Sequence, residues 1–99
     1  MHLRGTQLID DFIRTHSRGR AQLTAWRNEV EEARWLTPDD LDLSDLVARH
    51  GEAANSVLFT IIPQLCLVQT SISFSRGLVL VTGAWSDDDR TPRRRRVTN

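Results

Sequence analysis

The sequence predicts an α+β domain in which two N-terminal helices pack on a small antiparallel sheet of three or four strands. Three observations carry this. Apolar residues recur at helical spacing from Leu8 to Ala33, the period turns strand-like after Ala54, and short turn signals divide the second half into separate strands. Ninety-nine residues, 39% of them apolar, suffice for one core and leave no room for a second. The domain is expected over residues 1–89, with 90–99 as a disordered basic tail.

Gly5 marks a turn, and Thr6 begins a helix over Gln7 to His16 whose stripe is Leu8, Ile9, Phe12 and Ile13. A second amphipathic helix runs from Gly19 to Arg34, because Leu23, Trp26, Val30 and Ala33 share a face while Arg20, Arg27, Glu29, Glu31 and Glu32 occupy others. Thr37-Pro38-Asp39-Asp40 supplies a cap, a first-turn proline and an acid three residues on, so a short third helix is expected over Leu41 to Val47, ended by Arg49-His50-Gly51.

Strands are expected over Val57 to Ile62, Leu65 to Phe74 and Leu78 to Trp85, with a fourth at Met1 to Arg4 if it pairs. Ile62-Pro63-Gln64-Leu65 and Ser75-Arg76-Gly77 are the candidate turns. In the middle strand Cys66, Val68, Thr70, Ile72 and Phe74 face the helices, and Leu65, Leu67, Gln69, Ser71 and Ser73 face away. Both faces of the last strand are apolar, which places it centrally or under cover on both sides.

All thirteen basic side chains are arginine. Residues 1–89 hold eight of them against thirteen acids, a net of −5, and residues 90–99 hold five with no acid, a net of +5. One cysteine, Cys66, makes neither an internal disulfide nor a structural zinc site, so a reducing cytoplasm is expected. No apolar run exceeds six residues, against roughly 20 for a membrane span, and the start of the chain lacks a secretory leader pattern, so no membrane partner is expected.

A distributed pattern runs through Met1-His2-Leu3, Phe12, His16, Leu23, Ala25-Trp26, Glu29-Val30, Ala33, Trp35, Pro38 and Asp40. It continues in Val57-Leu58-Phe59-Thr60-Ile61, Ile72-Ser73-Phe74 and Arg76-Gly77. In these residues, over about positions 1–82, the chain resembles the HigB-type toxins of bacterial type II toxin-antitoxin modules, a branch of the RelE superfamily of mRNA interferases. The resemblance implies a RelE-like two-helix layer on an antiparallel sheet, RNA on the sheet's open face in the ribosomal decoding site, and a neutralising antitoxin as partner. It implies cleavage of translated message without metal or organic cofactor: the 2′-hydroxyl attacks the adjacent phosphate, aided by a base, an acid and cations.

The chain departs from that pattern where the chemistry lies. Pro63-Gln64-Leu65-Cys66-Leu67 stands where the family has Gly-Asn, a variable residue, an apolar residue and Arg, so Leu67 replaces a phosphate-binding arginine. Gly83-Ala84-Trp85-Ser86-Asp87-Asp88-Asp89 replaces a Thr-His-x-Glu-Tyr-Asp-like stretch, and the chain has no tyrosine. A positioned acid or base is worth about 10²- to 10⁴-fold in rate. Two functions remain: an mRNA endoribonuclease, or a catalytically silent relative that binds antitoxin, RNA or ribosome without cutting.

Arg76, in the second turn, is the best remaining match to a basic position at the rim of the RNA face, with a solvated turn arginine as the alternative. Arg90, Arg93, Arg94, Arg95 and Arg96 form the other candidate RNA contact, or else a basic tail that binds nothing. No residue earns a catalytic role from the sequence: His16 caps a helix end, and nothing ties His2 or His50 to chemistry. Asp87, Asp88 and Asp89 read as a solvated turn rather than a metal site, since consecutive strand residues alternate sides. Trp26 and Trp35 fit the core, as does Trp85, which otherwise stacks on a base. Cys66 reads as a small buried hydrophobe. Leu65 and Leu67, beside Ile62, form an exposed apolar pair suited to a protein contact unless a third layer covers them.

Overall fold

Helix and strand periods segregate along the chain into β1 (His2–Arg4), α1 (Gln7–Thr15), a 3₁₀ turn at Ser17–Gly19, α2 (Arg20–Glu32), α3 (Pro38–Asp42), β2 (Ala48–His50), β3 (Ser56–Ile62), β4 (Cys66–Ser73) and β5 (Leu78–Trp85). The computed structural model describes residues 1–53, 55–62 and 66–86, with the backbone alone at Ile62. Helices and sheet make an α+β architecture. The expected tail over 90–99, the turn residues 63–65 and Asp87 to Asp89 lie outside the described residues.

The sheet is larger than expected and mixed. Its order is β1-β5-β4-β3-β2, with five strands instead of three or four. β1 does pair, but parallel to β5, with His2, Leu3 and Arg4 opposite Leu78, Val79 and Leu80. The other three pairings are antiparallel. A parallel neighbour requires a crossover, and α1 and α2 belong to the chain that intervenes. Gly5 makes the exit from β1 possible: its φ is +77°, and a Cβ there would lie 2.4 Å from the Val81 carbonyl oxygen.

β2 stands where a helix end was expected. Ala48, Arg49 and His50 carry no alternating apolar signal, and pairing opposite Phe59, Leu58 and Val57 makes them a strand. The third helix accordingly stops at Asp42, well before Val47. Its start matches the sequence closely, since Thr37 and Asp40 form the reciprocal capping box with Pro38 in the first turn. Leu41 is fully buried, whereas Leu43 and Val47 are exposed and give no reason to continue the helix.

The core lies between the helices and one sheet face. Ile9 and Phe12 from α1 and Leu23, Trp26 and Val30 from α2 meet Val57, Phe59, Val68, Ile72, Val79 and Val81. Leu8, placed on the same stripe by its spacing, is 40% exposed instead. Trp26 and Trp35 both pack on Phe59, with ring centroids 5.2 and 6.5 Å away. The two-sided apolar pattern of β5 reflects its interior place: Val79 and Val81 are buried, while Leu80 on the other face is 41% exposed. Among the described residues no helix is long and apolar enough to cross a membrane.

Candidate functional site

Strand alternation sorts charge as well as apolarity. Leu3 is buried, so His2 and Arg4 project from the opposite, open face, aligned with Leu78 and Leu80. Arg49 shares that face on the far strand, opposite Leu58. The five strands contain no Asp or Glu. The described acids sit on the helices and loops, Asp10, Asp11, Glu29, Glu31 and Glu32 on α1 and α2 among them.

The cations concentrate at the β1 edge. A cleft of about 540 Å³ opens between β1, the Phe74–Gly77 turn and residues 33–36. His2, Arg4, Arg34 and Arg76 line it, and Glu31 is the one acid among its lining residues. Three backbone hydrogen bonds fix this geometry. The Met1 amine donates to the Ala33 carbonyl, fastening β1 to the end of α2. The His2 N–H donates to the Gly77 carbonyl at 2.6 Å, and Gly77, at φ +65°, closes the turn by donating to the Phe74 carbonyl at 3.2 Å. The turn that carries Arg76 is thereby held against the strand that carries His2 and Arg4.

Arg4, Arg34 and Arg76 have no carboxylate partner among the described residues. Three unneutralised guanidiniums around one cleft make a local positive potential suited to an anion, and each presents the planar fork of donors that matches a phosphate. The arginines that do form ion pairs lie elsewhere, Arg14 with Asp11 at 3.3 Å and Arg27 with Asp10 at 3.0 Å.

The three imidazoles are dispersed. His2 lines the cleft. His16 caps α1, stacked on Phe12 with ring centroids 4.1 Å apart, in keeping with a structural place at the helix end. His50 sits at the opposite edge of the sheet, its Nε2 2.9 Å from the Asp42 carboxylate. Cys66 is fully buried in the apolar cluster, and burial pushes its thiol up to about 11, the reverse of what a nucleophile needs. Among the described residues no group of three or more His, Cys, Asp or Glu side chains is placed to hold a metal ion.

No family model and no curated protein matches this chain.

Two residues of the open face differ from expectation. Leu67 is 6% exposed, not the exposed apolar contact its parity suggested, because it lies between Trp85 and Thr60 on the neighbouring strands. Trp85 lies on that face and outside the core cluster, its ring so close over Gly83 that a Cβ there would come within 2.7 Å of it. Their pairing gives that face an apolar floor at the end where β4 begins and β5 stops. Leu65, Arg90, Arg93, Arg94, Arg95, Arg96 and the three consecutive aspartates lie outside the described residues. Sequence reasoning found Arg76 and missed Arg4 and Arg34. The available signals were the exposed position of Arg4 next to a buried leucine and the position of Arg34 directly after the last apolar residue of the second helix.

Proposed function

We propose that this chain is a HigB-like protein, with a RelE-like arrangement of helices behind a sheet, that binds RNA through its phosphates in the basic cleft and does not cut it. The observation that carries the reading is the convergence of Arg4, Arg34 and Arg76, all without a carboxylate partner among the described residues, on one cleft at the sheet edge. The apolar floor formed by Leu67 and Trp85 stands where the resemblance implies a cation and acid-base groups. In-line cleavage needs a base for the 2′-hydroxyl and an acid for the leaving oxygen; the cleft's acid–base groups are His2 and Glu31, not the His and Tyr that the resemblance implies. The resemblance supplies the remaining context: a cytoplasmic toxin-antitoxin module, with an antitoxin as protein partner and message on the ribosome as the RNA.

The test is fluorescence anisotropy of a labelled single-stranded RNA across a salt series. Three phosphate contacts give a slope of log K against log salt of about −2, each contributing about −0.7 for single strands. Arg76→Ala lowers the magnitude of the slope by about 0.7. A slope unchanged in Arg4→Ala, Arg34→Ala and Arg76→Ala refutes the cleft as the RNA site.

One observation favours the second reading, an active endoribonuclease: His2 lies in the same cleft as the three arginines. Gel analysis of the same RNA separates the two. Intact RNA after prolonged incubation supports the silent binder, and cleavage that disappears in His2→Ala supports the enzyme.

A further inference from the structure

The other side of the molecule carries a cleft of opposite character. Gln22, Ala25, Trp26 and Glu29 recur at helical spacing and present one face of α2 to a cavity of about 250 Å³, closed by Asp45 to Val47 and by Phe59 to Ile61. Two carboxylates, Glu29 and Asp45, line it, no arginine is among its lining residues, and neither has an ion-pair partner among the described residues. Trp26 and Phe59 form part of its wall in an edge-to-face pair. The volume is below the roughly 300–1,000 Å³ of small-molecule pockets, a scale suited to one inserted side chain. Two carboxylates at the mouth of an aromatic-walled cleft select a guanidinium through charge-assisted hydrogen bonds.

We propose that this cleft is the docking site for an arginine of the chain's own 93–96 run. Charge and reach both point to that occupant. Residues 90–99 carry +5 and no acid, while the cleft carries two carboxylates with no ion-pair partner among the described residues. β5 ends at Trp85, which lies opposite Leu67, which in turn lies opposite Thr60 on the rim of the cleft. Two strand spacings are about 10 Å. From Ser86 to Arg93 the chain spans up to about 23 Å, more than twice that separation, which leaves length to pass from one face of the sheet to the other. Tethering at that length supplies an effective concentration on the order of millimolar, enough to fill a weak site. Docking of the tail is independent of the RNA reading: it uses a different cleft of opposite charge.

The test uses the full chain with Val97→Cys and a nitroxide label. The single native thiol, Cys66, is fully buried and does not compete for the reagent. The expected result is loss of amide signals strongest at residues 22–29, 45–47 and 59–61, with recovery at those residues in Glu29→Gln/Asp45→Asn and in Arg93–Arg96→Ser. Recovery is also expected in about 1 M salt, where the screening length falls to about 3 Å. The acid-to-amide substitutions sit on exposed side chains, and circular dichroism verifies that those variants fold. Signal loss spread over the whole surface, absent altogether, or unchanged in the double variant overturns the proposal. Loss at the same residues when labelled chain is mixed with isotope-enriched unlabelled chain assigns the site to a second copy, and overturns it as well.

Discussion

Alkaline titration isolates one buried group in this protein, because the chain contains neither lysine nor tyrosine and its arginines stay charged. Between about pH 8.5 and pH 11.5 the one side chain left to titrate is Cys66. Its thiol is fully buried, and burial raises it from 9.0 to about 11. The unfolded chain therefore gives up the thiol proton first and binds fewer protons than the native state across that window, so stability falls as pH rises from about 9 to about 11. Two pH units amount to on the order of 3 kcal/mol, a large share of the roughly 5–15 kcal/mol that holds a domain together. Urea unfolding followed by far-ultraviolet circular dichroism reads the loss directly. With a slope of about 1–3 kcal/mol per molar, the midpoint drops by about 1–3 M between pH 8 and pH 11. Cys66→Ala starts less stable, since it leaves a small void, but its midpoint stays level over the same range. A level profile in the native chain, or an equal fall in Cys66→Ala, refutes the assignment of the alkaline loss to a desolvated thiolate.

Three further measurements probe the fold. Gly5→Ala combines a φ of +77° with a Cβ placed 2.4 Å from the Val81 carbonyl oxygen, whereas Gly77→Ala adds a Cβ into open space at φ +65°. Gly77→Ala is expected to cost about 1–2 kcal/mol and Gly5→Ala distinctly more, and equal melting temperatures for the two contradict the close approach of β1 to β5. Thr37→Ala removes the hydroxyl that accepts from the Asp40 N–H, with an expected loss of about 1 kcal/mol in thermal unfolding; a loss indistinguishable from zero means the capping box is not formed. Phe59→Ala empties the point where Trp26 and Trp35 converge and is expected to cost about 3–5 kcal/mol in denaturant titration; a loss under about 1 kcal/mol contradicts the packing.

Much of the architecture is legible in periodicity alone, and the exceptions share a cause. α1, α2, β3, β4 and β5 have their own apolar pattern, long enough to determine both type and face, and they end within a few residues of where that pattern ends. β1 and β2 have three residues each, too few for alternation to register, and their partners determine them: Leu3 is buried because β5 lies alongside, and Arg49 becomes extended because Leu58 does. The same limit applies to the candidate site. Arg76 was visible because a turn arginine beside glycine has a local signature. Arg4 and Arg34 join it only through the parallel β1–β5 pairing and the link from the Met1 amine to the Ala33 carbonyl, contacts between segments distant in sequence. Leu67 shows the converse, since parity gave its face but not its burial against Trp85.

Alternation also explains how a scaffold and its chemistry can separate. In β3 and β4 the residues that hold the helices, Val57, Phe59, Val68 and Ile72, are interleaved one for one with those on the open face, Leu58, Thr60, Leu67 and Gln69. The inward set supplies these strands' buried core residues, so substitutions at outward positions such as Leu58 and Gln69 leave the core against the helices intact. On the HigB-like reading, a cation exchanged for Leu67 costs the fold nothing on that side, and burial beside Trp85 makes the new side chain stabilising by about 1.5–3 kcal/mol if it is fully dehydrated. The exchange is unfavourable for phosphate binding at that end of β4, where a positive group is lost and an apolar floor takes its place. Affinity for an anion then has to come from the edge, where side chains escape the alternation rule because the turn and the residues after α2 present them. Arg34 and Arg76 meet that condition, and Arg4 reaches the same cleft from the outermost strand.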